Sequence, residues 1–124
     1  METLQIKQTP TSLAVVLDAS TGTLSFSGRS VSENSAEFFK PIMDWLAKYA
    51  EQPFEKTKCI FEFEYFNSAA RKSLVEIFKI LQVMHRNGNP LLVEWHYDAG
   101  DESMKEMGDE YSNLFSLKFR FVQD

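Results

Sequence analysis

Lys58-Cys59-Ile60-Phe61-Glu62-Phe63-Glu64-Tyr65-Phe66, followed at once by Asn67-Ser68 and a helical spacing of apolar residues, decides how this chain folds. Side chains alternate across a strand, so Cys59, Phe61, Phe63 and Tyr65 share one face and Ile60, Glu62, Glu64 and Phe66 the other. Two glutamates make the second face at least partly wet, so helices cover the sheet on one side. After Ser68 the period changes. Leu74, Ile77, Phe78, Leu81 and Met84 form the buried stripe of a helix that runs to about Arg86. Asn87-Gly88-Asn89-Pro90 stops it.

Toward the C-terminus, Leu91 to Tyr97 reads as a strand with Leu91, Val93, Trp95 and Tyr97 on one face. Asp101 to about Asn113 is an acidic helix, apolar at Met104, Met107 or Gly108, and Tyr111. Leu117, Phe119 and Phe121 alternate with Lys118 and Arg120 in a last strand. Toward the N-terminus, Ser12 to Asp18 and Leu24 to Ser27 form a hairpin across Ser20-Thr21-Gly22-Thr23, and a weaker strand lies at Leu4 to Lys7. Gly28 to Glu33 reads as a polar loop. Asn34 and Glu37 have the spacing of a capping pair for a helix with Phe38, Ile42, Trp45 or Leu46, and Tyr49 inward. Pro41 interrupts that helix, at a cost of about 3 kcal/mol in an interior. The helix is therefore kinked, or its regular part starts near Phe39. Strand-helix-strand units of this length place strands parallel with right-handed crossovers. The reading is α/β: one domain over residues 1–124, a single layer of mixed sheet of about five strands, and three helices mainly on one face.

Composition bounds the function. The 124 residues carry a net charge of −5, which removes any global attraction to nucleic-acid phosphates. A lone Cys59 excludes an intramolecular disulfide and fits a reducing, cytoplasmic setting. No long apolar run is present for membrane insertion, and Met1 to Pro10 has no signal core.

Parallel strands deliver three polar loops to one sheet edge: Gly28 to Asn34 with Ser30, Ser32 and Asn34; Asn67-Ser68; and Tyr97 to Asp101 with Asp98, leading to Glu102. Ser68 sits where a helix N-cap belongs, and capping alone accounts for most such serines. Arg71 and Lys72 follow in the first turn, where cations oppose the helix dipole. A phosphate on Ser68 would reverse that, taking first-turn N–H groups and pairing with Arg71 or Lys72. Two solvated side chains remain the simpler account of those cations. Phe66, Ala69 and Ala70 would offer apolar contacts beside Ser68. Cys59 reads as a core residue. His96 with Asp98, Asp101 and Glu102 lacks a His or Cys partner and any known ligand spacing, so no metal or other cofactor is expected. No phosphate loop or nucleophile motif argues for an enzyme.

Three segments together resemble the SiaC family of bacterial regulatory phosphoproteins. They are Gly28-Arg29-Ser30-Val31-Ser32-Glu33-Asn34 with Phe38-Phe39-Lys40-Pro41, Tyr65-Phe66-Asn67-Ser68-Ala69-Ala70-Arg71-Lys72, and Trp95-His96-Tyr97-Asp98 with Asp101-Glu102 and Met104. Ser32 stands where the family usually has proline, and Ser68 where its acceptor is often threonine. The resemblance implies a fold like that of STAS-domain anti-anti-sigma factors. It also implies a partner switch: a Ser/Thr protein kinase phosphorylates Ser68 and a metal-dependent protein phosphatase reverses it. The unmodified form then activates a diguanylate cyclase, raising cyclic di-GMP and favouring biofilm growth. Asn67, Arg71, Lys72, Ser30, Asn34 and Asp98 would contact phosphate or partner. A STAS-like module binding an anion or nucleotide is the alternative, and an enzyme using Glu62, His96 and Asp98 a more distant third.

Overall fold

The computed structural model describes all residues, 1–124. Six strands form one sheet in the order β1 (Leu4–Ile6), β2 (Ala14–Asp18), β3 (Thr23–Ser30), β4 (Thr57–Phe66), β5 (Leu91–Tyr97) and β6 (Phe119–Gln123). β1 pairs antiparallel with β2 and β2 antiparallel with β3; β3 to β6 are mutually parallel. Helices α1 (Ser35–Glu51), α2 (Ser68–Arg86) and α3 (Glu102–Phe115) make the three crossovers. Each crossover steps to the next strand in the same direction. Connections of one hand therefore stack all three helices on one face. The sheet has six strands rather than about five because the N-terminal segment pairs with β2, Leu4 opposite Leu17.

The core lies between that face and the helices, and it is rich in aromatic rings. Phe61 stacks on Phe26 with ring centroids 5.1 Å apart and meets Phe78 at 5.3 Å and Trp95 at 5.8 Å. The Trp95 indole N–H donates to the Met104 carbonyl at 2.9 Å, which pins α3 to β5. Gly108 permits that contact, since a Cβ there would lie 2.6 Å from Trp95 Cδ1.

Several local expectations are corrected. Gly28, Arg29 and Ser30 are not loop but the end of β3, and the register slips between Gly28 and Arg29: Gly28 pairs Phe63, while Arg29 pairs Tyr65. Glu64 is the extra residue of this β-bulge, and a bulge reverses the alternation beyond it. Tyr65, expected inward, is thus exposed, and Phe66, expected on the wet face, is buried. The helix α1 starts at Ser35, ahead of Pro41, and buries Phe39 where Phe38 was expected. Asn34 and Glu37 do meet, but side chain to side chain, and the Asn34 side chain caps no backbone N–H. With ψ at 43° Asn34 lacks the extended conformation of a good cap. No helix is long and apolar enough to cross a membrane.

Candidate functional site

At the C-terminal edge of the parallel strands, Asn67 ties two loops together. Its N–H donates to the Ser30 carbonyl at 3.0 Å and its side-chain amide to the Ser32 carbonyl at 3.2 Å. Its Oδ1 accepts from Ala70 N–H at 3.0 Å. Asn67 is therefore the cap of α2, and Ser68, expected as the cap, is the first helical residue. Asn67, tied to the Ser30 and Ser32 carbonyls, takes the cap position because its backbone is extended (φ −88°, ψ 179°), while Ser68 is already helical. Ser68 is left exposed, with its hydroxyl in no hydrogen bond. The N–H groups of Ser68 and Ala69 have no partner within the helix.

Ser68 borders a groove of about 430 Å³ whose walls include Tyr65, Asn67 and Arg71 on one side and Asp101, Ser103 and Met107 on the other. The first turn of α2 holds no acidic residue. Arg71 lies over the Phe66 ring, 6.0 Å from its centroid. Its charge also reaches Tyr111, where it opposes the burial that raises that phenol's pKa. One strand over, Arg29 covers the Tyr65 ring at 5.7 Å. Neither Arg29, Arg71 nor Lys72 has a carboxylate within ion-pair distance. Asp101 spends its carboxylate on capping α3, accepting from Met104 N–H at 3.1 Å.

Of the residues singled out in the sequence, Asn67, Ser68 and Arg71 meet at this groove. Lys72 is exposed one position further along α2. Ser30 is buried and supports Asn67 through its carbonyl. Asn34 is exposed at the start of α1. Asp98 faces a different cavity, on the helix-free side of the sheet. Phe66 and Ala70, expected as apolar contacts for a partner, are 5% and 1% exposed and belong to the core. The bulge at Glu64 exchanged Phe66 for Tyr65, and Tyr65 is the large apolar surface beside Ser68. Sequence reading missed Tyr65 and Arg29 in this role, because strict alternation gave no sign of the slip.

On the helix-free face His96 has the partners that the sequence did not reveal. Its Nε2 is 2.8 Å from Glu94 Oε1, and its Nδ1 is 3.0 Å from Asp124 Oδ1 and 3.5 Å from Glu62 Oε1. Burial alone would lower the His96 pKa. Hydrogen bonds to Asp124 and Glu94, with the charges of Asp124 and Glu62, override it and raise the pKa above its ordinary 6.5. The His96 hydrogen bond holds the Glu94 carboxyl below its usual range, against burial and with help from Lys58. Both shifts favour the charged forms that pair with each other. Burial pushes the Cys59 thiol up, leaving it no nucleophile.

Residues 6–124 match the family model described as SiaC family regulatory phosphoprotein. An uncharacterized protein of Pseudomonas aeruginosa (strain UCBPP-PA14) is 29% identical over 119 residues, 96% of this chain and 94% of that protein. The crystal structure of apo-SiaC from Pseudomonas aeruginosa superposes with a TM-score of 0.89 at 28% identity, covering 98% of both chains. A chain in the crystal structure of the diguanylate cyclase SiaD in complex with its activator SiaC, from the same organism, gives 0.91 at 28% identity. That match covers 98% of this chain and 99% of the other.

Proposed function

This chain belongs to the SiaC family of regulatory phosphoproteins, and from that premise we propose that it is a cytoplasmic adaptor switched by phosphorylation of Ser68. The observation that carries this reading is the exposed Ser68 hydroxyl on the first residue of α2, before two unpartnered N–H groups and the unpaired Arg71. A phosphate there adds about −1.5 to −2 charges at neutral pH. Helix N–H groups and Arg71 would hold it on the protein itself, so the fold survives modification.

The unmodified groove, with Tyr65 and Met107 around a neutral hydroxyl, is the docking surface. The partner is a diguanylate cyclase, by similarity to the activator in the SiaD complex. Even held by Arg71, a dianion inside such an interface carries excess negative charge that must be desolvated, and it faces the protein's own acids such as Asp101. A loss of about 3 kcal/mol weakens binding more than a hundredfold. A Ser/Thr kinase installs the phosphate and a metal-dependent phosphatase removes it; Asn67, through its capping bonds, presents Ser68 to both.

The test is calorimetric titration of a diguanylate cyclase with unmodified, Ser68-phosphorylated and Ser68→Ala protein. Unmodified and Ser68→Ala forms bind alike, and the phosphoprotein binds at least a hundredfold more weakly. Equal affinity of the modified and unmodified forms would refute the switch.

A further inference from the structure

The helix-free face holds a second cluster that the switch does not use, and we infer that Glu62, His96 and Asp124 form a site for a zinc-class divalent cation. The three side chains come from adjacent parallel strands or their ends, β4, β5 and β6, and one donor atom of each lies within 4.8 Å of the others. The imidazole is already oriented as a ligand. Nε2 is fixed by Glu94 at 2.8 Å, and the other Glu94 oxygen is held by Lys58 at 3.1 Å. A carboxylate on the far ring nitrogen is the outer-shell arrangement that aims metal-binding histidines. Nδ1 is thereby turned toward Asp124 at 3.0 Å and Glu62 at 3.5 Å.

A cation about 2.0–2.2 Å from its donors needs neighbouring donors about 3.0–3.5 Å apart, in octahedral or tetrahedral geometry. Two of the three pairs stand at that spacing. The third closes by rotation of Glu62, whose side chain is 52% exposed. With a neutral imidazole, the carboxylates of Glu62, Glu94 and Asp124 against Lys58 leave two negative charges, which one divalent ion neutralises. A cavity of about 380 Å³ opens over the cluster, with room for water ligands. One imidazole among carboxylates suits zinc, cobalt or manganese better than calcium or magnesium. The ion takes the place of the Nδ1 proton.

The experiment titrates the full chain with zinc chloride by calorimetry and with cobalt chloride by visible absorption. One ion binds per chain. Asp124→Asn and His96→Asn each weaken it at least tenfold, Glu94→Gln weakens it about tenfold through ring orientation, and His85→Asn leaves it unchanged. Asp124→Asn alters an exposed terminal side chain, so it keeps the test valid even where His96→Asn fails to fold. No saturable zinc binding, or equal affinity in the Asp124→Asn protein, overturns the site.

Discussion

At the N-terminal edge of the parallel strands the polar groups close on one another. The Tyr49 hydroxyl meets Thr57 Oγ1 at 2.9 Å, Thr57 donates to Asn89 Oδ1 at 2.7 Å, and the Asn89 amide donates to the Phe54 carbonyl at 2.8 Å. At the C-terminal edge Asn67 closes its own bonds, while the Ser68 hydroxyl, two helical N–H groups and two arginines point outward unpaired. Both ends join strands to helices, yet one has satisfied its polar groups internally and the other has kept them open. Buried polar groups must be paired, whereas exposed unpaired donors cost little and remain available to a ligand. The closed end therefore serves stability, and the open end is the one we propose for binding.

Variants at the two ends should separate these roles. The largest effect on folding belongs to the closed end. Asn89→Ala leaves Thr57 and the Phe54 carbonyl without their partner and costs about 2–3 kcal/mol in urea unfolding, with cyclase affinity intact. Asn67→Ala, at the hinge of the open end, removes the α2 cap and costs about 1 kcal/mol. It also lowers the rate at which a kinase modifies Ser68, measured by phosphoprotein mass spectrometry. Arg71→Ala changes the stability of the unmodified protein by less than about 0.5 kcal/mol. The same substitution lowers the melting temperature of the Ser68-phosphorylated protein relative to phosphorylated wild type. A drop of equal size in the unmodified protein would erase the distinction between the ends.

The smallest effect is one of pH, and it belongs to the helix-free face. A histidine whose pKa is raised on folding contributes stability fully present below its ordinary 6.5, and loses it as pH rises through the folded value. The Glu94 carboxyl, lowered on folding, contributes above its ordinary 4.5 and loses it as pH falls through its folded value. Stability from this cluster is therefore greatest between about 4.5 and 6.5. Denaturation midpoints measured across pH 4 to 9 in metal-free buffer should fall on the alkaline side, and His96→Asn should flatten that limb.

The alternation in β4 and the 3.6-residue stripe from Leu74 were enough to locate the central strand and α2. The Asn87-Gly88-Asn89-Pro90 stop is where the helix ends, with Gly88 at a φ of +97°. Ser68 at a strand-to-helix junction was legible for the same reason: the change of period is a local property of the chain. The bulge was not, because Glu64 and Tyr65 look like ordinary strand residues until β3 is laid beside them. The pairing of β1 was faint, since three residues carry little pattern of their own.

By itself the sequence determined the order of elements, the covered face of the sheet and the edge to which Asn67, Ser68 and Arg71 are delivered, because periodicity and chain direction are local. Only the tertiary structure decided that Asn67 rather than Ser68 caps α2, that Tyr65 turns out and Phe66 in, and that His96 lies among Glu62, Glu94 and Asp124. Each of these depends on a neighbouring strand or loop far away in sequence, and register between strands is fixed by the packing of the whole sheet.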